Sequence, residues 1–328
     1  MANHPSETTP SRPPLDARHF EEHRPVLIAH CYRMLGSVTE AEDAVQETML
    51  RAFRAAAGFE GRSSLRTWLC RIATRVCLDM LDGRTRRGLA MDFGPANAID
   101  GPLTTWPHSR FVEPLPDAWI TPPDADPAEL FAMRQSIRLA FVAALQHLPP
   151  RQRAALLLAE VLGWPASEIA ESLDASTAAV NSMLQRARAT LRSRDIDLPL
   201  GPLPEPESLL LERYVDAFER YDVDALLSVV HEDAMMSMPP YPIWLRGHET
   251  IRYWFLGPGA ECRGSRLLPT AACGAPAFGQ YRRAKSGEGH EPWALIALQI
   301  RGSVIVEMTY FLDTETLFPR FGLPPRLP

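Results

Sequence analysis

The sequence predicts a multidomain protein in which two all-α domains precede an α+β domain. Three observations predict it. Apolar residues recur at three- and four-residue steps across 20–90 and 128–194, the period of an amphipathic helix. Prolines crowd two stretches, eight in 92–127 and four in 198–206, which no long helix and no inner strand tolerates. Beyond about residue 230 the pattern turns to β-like runs at Ala234–Met238, Leu267–Cys273, Trp293–Ile300 and Ser303–Leu312, the last two parted by Arg301-Gly302 as in a hairpin.

These breaks set the expected boundaries. A disordered N-terminus covers 1–18, a helical domain 19–91, an acidic proline-rich linker 92–127, a second helical domain 128–197, a short linker 198–206 and the α+β domain 207–328. The long linker is expected to be solvated and extended, outside any core. A chain of 328 residues has room for two or three domains, and 46% hydrophobic with 23% charged residues excludes wholesale disorder. No apolar run approaches the roughly 20 residues of a membrane span, and the N-terminus has no apolar signal core. The five cysteines form no CxxC pair or zinc-ligand spacing, so reduced thiols of a cytoplasmic protein, with no metal and no cofactor, are expected.

A net charge of −6 argues against a nucleic-acid binder until it is divided along the chain. Residues 61–90 hold seven arginines against two acids, and 176–194 hold four arginines and no acid. Between them, 92–127 hold six acids and only Arg110. Two basic patches therefore flank an acidic spacer.

In the first helical block, Ala41–Arg54 places Asp43, Gln46 and Glu47 on one polar edge while Ala44, Val45 and Phe53 are expected to pack inward. A Gly/Ser loop then leads into a helix carrying Trp68 among Arg62, Arg66, Arg71 and Arg75. Interleaved aromatic and guanidinium groups suit melted DNA, although a core Trp68 on a solvated helix is the simpler reading. In the second block, Trp164–Leu191 reads as a helix-turn-helix. Pro165 opens the first helix, the chain turns at Asp174–Ser176, and Ser176 or Thr177 caps the second helix. Val180, Leu184 and Ala187 form its expected buried stripe. Asn181, Ser182, Gln185, Arg186 and Arg188 form a face able to reach base edges and phosphates.

Together DAVQE (43–47), WLCRIATRVCLD (68–79), LPPRQRAALLLAEVLGWPASEIAESL (148–173) and STAAVNSMLQRARATLR (176–192) resemble, in order, the extracytoplasmic-function (group 4) sigma factors of bacterial RNA polymerase. The resemblance implies that core RNA polymerase and promoter DNA are the partners. By the family's pattern, Asp43, Gln46 and Glu47 face the β′ clamp. The loop and helix with Arg62, Ser63, Ser64, Arg66, Trp68, Arg71 and Arg75 meet the minus-ten element. The helix with Ser176, Thr177, Asn181, Ser182, Gln185, Arg186 and Arg188 reads the minus-thirty-five element while its domain docks on the β flap. Arg75 stands where many members have Asn, so the minus-ten base preference does not carry over. Asn181 and Met183 replace basic residues, with Met183 expected to meet a thymine methyl. The acidic linker, in the same pattern, threads the polymerase's active-centre cleft and RNA exit channel, and Asp117, Asp124 and Asp126 suit that basic path.

About 120 residues follow the sigma-like part. Residues 208–255, with the late hairpin, resemble SnoaL-like domains, whose helices pack in a cone-shaped curved sheet, and the resemblance implies that this extension modulates activity. A small-molecule pocket there would draw on Tyr214, Trp244, His248 and Trp254. His231, Asp233 and His248 are acid–base types, but His231–Asp233 reads as a helix end and turn, so no catalysis is expected. Two rival readings are a conventional helix-turn-helix regulator, which leaves 41–87 unexplained, and a SnoaL-type isomerase or hydrolase with an accessory DNA-binding region.

Overall fold

The computed structural model describes residues 17–96, 104–121, 126, 133–194 and 208–328. The expected disordered stretch up to residue 16, the short linker at 198–206 and Asp124 lie outside them. Helix α1 (Ala17–Glu21) leads into α2 (Arg24–Leu35), α3 (Val38–Ala55) and α4 (Leu65–Leu81). Ser37 and Ser64 start α3 and α4 by accepting the Glu40 and Thr67 amides on their hydroxyls. Gly36, at φ 70°, ends α2 in the left-handed conformation and lets α3 fold back. The buried stripe of α3 is Val38, Ala41, Val45, Thr48 and Ala52, as its period predicts. Phe53, expected inward, lies one residue past Ala52 and thus about 100° off that stripe; it is 64% exposed.

The second helical domain comprises α5 (Leu139–Gln146), α6 (Pro150–Glu160), α7 (Ala166–Ser172) and α8 (Thr177–Arg192). Ser176 caps α8 through the Ala179 amide, and Asp174 takes the left-handed turn position at φ 48°. Val180, Leu184 and Ala187 are buried as expected. So is Met183, which shares the Val180–Leu184–Ala187 side and is withdrawn from any base.

The third domain has α9 (Ser208–Arg220), α10 (Val223–Ser228), α11 (His248–Leu256) and α12 (Thr314–Arg320) around one six-stranded sheet. Its strands are β1 (Val230–Ser237), β2 (Trp244–Arg246), β3 (Arg266–Ala272), β4 (Ala275–Arg283), β5 (His290–Arg301) and β6 (Val304–Phe311), in the order β2-β1-β6-β5-β4-β3. Only the β1–β6 pair is parallel. The expected four strands are present, β2 and β4 are added, and the β5–β6 turn falls on Gly302-Ser303, one residue later than expected. His231–Asp233 is not a turn. It lies in β1, where the register with β6 shifts between Val230 and Met235.

Both faces of this sheet are apolar. Ala294, Ile296, Leu298, Met308 and Tyr310 face α9–α11 in a separate inner core with Tyr214 and Phe218. Leu295, Ala297 and Phe311 face the other way and join α12 and the two helical domains in one continuous core. Residues 104–121 of the acidic linker run through that junction, which overturns their reading as a solvated tether. Val112, Leu115 and Ile120 are buried. The prolines are tolerated because each removes only its own donor. The intervening Glu113 amide donates to the Gly36 carbonyl, and the Leu115 amide donates to Cys273 Sγ at 3.1 Å. Asp117 accepts the Gly274 amide at 2.8 Å, and Tyr32 donates to the Glu113 carbonyl at 2.6 Å. The Cys273-Gly274 turn of the β3–β4 hairpin is thereby stitched to the linker and, through the Tyr32–Cys273 contact at 3.2 Å, to α2.

Candidate nucleic-acid interface

The face of α8 presents every polar residue expected of it. Ser176, Thr177, Asn181, Ser182, Gln185, Arg186 and Arg188 are all exposed, and only Arg188 is engaged by a carboxylate, Glu160, at 2.5 Å. Burial of the opposite stripe fixes the orientation of this face, and the Ser176 cap places its N-terminal turn outward. Hydroxyl, amide and guanidinium groups at one-turn spacing can donate to phosphates and to base edges together.

The α4 surface is arranged differently. Arg62 is exposed beside Glu60 at 3.1 Å, Ser63 is half-buried, Ser64 is the cap and Arg66 is exposed. Trp68 is half-buried against Phe59 and Phe20, with ring centroids 5.0 and 6.4 Å away, so it is a packing residue with one edge in solvent. Arg71 and Arg75 turn toward the other domain. Arg71 reaches Glu171 at 3.2 Å and lies 5.8 Å from the centroid of Trp164, and Arg75 lies 3.6 Å from Asp174. A cavity of about 350 Å³ lined by Arg66, Thr67, Trp164 and Glu168 separates the two surfaces alongside these pairs. Two arginines of the helix expected to read melted DNA, Arg71 and Arg75, thus pair with the helix-turn-helix of the same chain, while Arg62 and Arg66 stay exposed. Sequence reasoning missed the facing residues Trp164, Glu171 and Asp174, because nothing in their local pattern records a partner about 100 positions away.

Deeper pairs hold the two helical domains together. Arg33 on α2 is buried and donates to Ser136 at 2.6 Å; burial lowers its pKa to about 10, still charged at neutral pH. Arg153 on α6 donates to the carbonyls of Met34, Gln146 and Leu148 and to the Gln146 side chain. Asp92 accepts from His147 Nε2 at 2.8 Å and lies 3.4 Å from Arg194, so one carboxylate just after the first domain meets both the α5–α6 turn and the end of α8 in the second.

On α3, Asp43 and Gln46 are exposed, and Glu47 pairs with Arg51 at 2.6 Å. Leu50 and Phe53, 54% and 64% exposed, continue the same ridge at three- and four-residue steps. This apolar end was missed with the Phe53 assignment. The adjacent Glu42 is held by Arg320 of α12 at 2.8 Å, so the third domain abuts the helix that carries this ridge.

Of the four residues expected to line a ligand pocket, Tyr214 and Trp254 share the inner core, while Trp244 and His248 are bonded elsewhere. Tyr214 lies inside the cone beside Tyr310, its hydroxyl pKa raised by burial. Trp254 packs on Gly259, whose position leaves no room for a Cβ. Trp244 donates to the Gly94 carbonyl at 2.9 Å outside the cone, and His248 Nε2 donates to the Val230 carbonyl at 2.8 Å. Among the described residues no three His, Cys, Asp or Glu side chains cluster as a metal needs, and no helix is long and apolar enough to cross a membrane.

Comparison with known proteins identifies the three modules. Residues 19–87 match the Sigma-70 region 2 family model, 138–191 the Sigma-70 region 4 model and 211–308 the SnoaL-like domain model. The ECF RNA polymerase sigma factor SigG of Mycobacterium tuberculosis is 46% identical, over 96% of this chain and 87% of its own. The probable ECF sigma factor SigI of the same organism is 25% identical over 92% and 94%. The crystal structure of the M. tuberculosis sigma factor SigJ shares the fold, with a TM-score of 0.60 and 22% identity over 94% of this chain and all of that one. Since the two sigma modules occur in order and the likeness to SigG runs nearly end to end, the chain belongs to the extracytoplasmic-function sigma factors of RNA polymerase and carries a C-terminal SnoaL-like domain.

Proposed function

We propose that the described conformation is the resting form of this sigma factor, with its minus-ten surface withheld until core polymerase separates region 2 from region 4. As a sigma factor the chain binds core RNA polymerase and directs it to promoter DNA. The observation that carries the proposal is the pairing of Arg71 and Arg75 with Glu171 and Asp174 across the two modules. A guanidinium paired with a carboxylate of its own chain must give up that pair before it meets a phosphate or base, a modest cost for an exposed pair.

In the open form the α3 ridge of Asp43, Gln46, Glu47, Leu50 and Phe53 docks on the polymerase clamp. Arg62, Ser63, Ser64, Arg66, Arg71 and Arg75 then meet the minus-ten strand, and the exposed face of α8 reads the minus-thirty-five element. Trp68 packs on Phe59 and Phe20 at the base of this surface. The SnoaL-like domain acts as a clasp: it holds the linker through Gly274 and Cys273 and abuts α3 through Arg320. Carriage of the linker into the polymerase channel requires release of Asp117 and Glu113 from these internal partners. A regulatory role fits a domain whose β3–β4 turn and α12 hold the linker and α3 of the sigma modules. Its place of action is the cytoplasm, where core polymerase works.

The test is the double variant Glu171→Gln, Asp174→Asn in the full chain. Both pairs are exposed, so their joint loss shifts the closed equilibrium by about 1 kcal/mol, or roughly fivefold. The free variant should bind a randomised single-stranded oligonucleotide about fivefold more tightly in fluorescence anisotropy, with wild-type transcription once core polymerase is added. Affinity equal to wild type would refute the withheld surface.

A further inference from the structure

A cavity of about 600 Å³ opens where the end of region 2, the linker and the start of region 4 meet. Its wall holds four arginines, Arg84, Arg86, Arg87 and Arg153, and a single carboxylate, Glu40. Arg84 and Arg87 share that carboxylate, with Arg87 at 3.0 Å and also 3.6 Å from Glu113. Arg153 has only carbonyl and amide partners, and its buried Nε has none. Arg86 is exposed and donates to His147 Nδ1, while His147 Nε2 donates to Asp92 at 2.8 Å. That relay needs a neutral imidazole, which burial favours by lowering the His147 pKa. Arg86 is therefore aimed by a neutral ring and left without a carboxylate of its own. The floor adds the N-terminus of α6, where Pro149 and Pro150 supply no side-chain cap to the first-turn amides. Leu35, Leu81 and the two prolines give the rest of the wall an apolar character.

From these features we infer that this cavity is a binding site for a compact polyphosphate group, as borne by a nucleoside diphosphate or by inorganic pyrophosphate. Planar guanidinium forks and an uncapped helix N-terminus are the two protein features best matched to phosphate oxygens. The volume suits a nucleotide-sized molecule, and the leucine and proline surface offers a seat for a base and ribose. The wall is built from both sigma modules. Taking the proposed separation of those modules as given, a ligand here binds only the closed form and opposes holoenzyme assembly by linkage.

Isothermal titration calorimetry of the full chain with ADP, pyrophosphate and adenosine tests the site without polymerase. Saturable binding of ADP or pyrophosphate, absent for adenosine and weakened at least tenfold by Arg86→Ala and by Arg84→Ala, is the expected result. ADP binding more tightly than pyrophosphate assigns the group to a nucleotide, and equal affinity assigns it to the inorganic anion. No saturable binding of either, or an unchanged affinity in Arg86→Ala with wild-type circular dichroism, overturns the site. Unchanged holoenzyme formation at saturating ligand, with Arg86-dependent binding intact, leaves the anion site standing and rejects the separation of the modules.

Discussion

Glu307 shows how far a single side chain can depart from its ordinary chemistry. It lies buried on β6, where burial pushes its pKa up to about 6 while the Thr309 hydroxyl, donating at 3.3 Å, pulls it back only in part. A raised carboxyl pKa makes folding stability greatest below the unfolded value of about 4.5, and that stability is lost as pH rises through about 6. The difference amounts to about 2 kcal/mol. Glu307→Gln should therefore stabilise the full chain by about that much at pH 8 and leave it unchanged at pH 4, as read by urea denaturation. Equal effects at both pH values would contradict the buried-charge account. Individual residues were legible in the sequence where period alone decides burial, as at Val45, Ala52, Val180 and Ala187. Phe53 and Met183 were misjudged because a step of one residue turns a helix by about 100°, enough to exchange core for solvent: Phe53 follows the buried Ala52, and Met183 follows the exposed Ser182.

At the scale of elements, the capped helices were the most readable parts. Ser176 announces α8 and does accept the amide three residues on; Ser37 and Ser64 do the same for α3 and α4, although they were not singled out as caps in the sequence. Strand β4 was hidden because Ala275–Arg283 contains Pro276 and Gly279 and alternates poorly. Its Gly279 is required by Leu323, which would lie 2.8 Å from an added Cβ. The linker was misread because its proline content describes what it cannot do alone and not what it meets: the amides of Glu113 and Leu115 find partners only in the other two domains. The α3 ridge yields a prediction at this scale. Leu50 and Phe53 are exposed large apolar groups beside Asp43 and Gln46, the profile of an interface held open for a partner. Replacing both by Ala should leave the melting temperature within about 2 °C, because neither is buried. The same change should weaken binding to core polymerase at least tenfold in a pull-down titration. Wild-type affinity would remove this ridge from the interface.

The whole molecule is governed by one contrast. Its two sigma modules, which must act on promoter elements apart from one another, share a continuous core with each other, with the linker and with the outer face of the SnoaL-like sheet. The order of modules, their fold and the charge alternation were visible in the sequence, since each is local. The closure was not, because Arg71–Glu171, Arg75–Asp174, Asp92–His147 and Arg320–Glu42 join residues 55 to 278 positions apart. The proposed closed resting state would depend on this buried core as well as on the ion pairs that engage Arg71 and Arg75. The most direct test places a fluorophore pair on Arg62→Cys and Ser182→Cys, in the full chain whose native cysteines are all buried. Energy transfer is then measured before and after addition of core polymerase. The account predicts high transfer in the free chain that falls to a distinct low value in the holoenzyme; the same transfer in both states would contradict it.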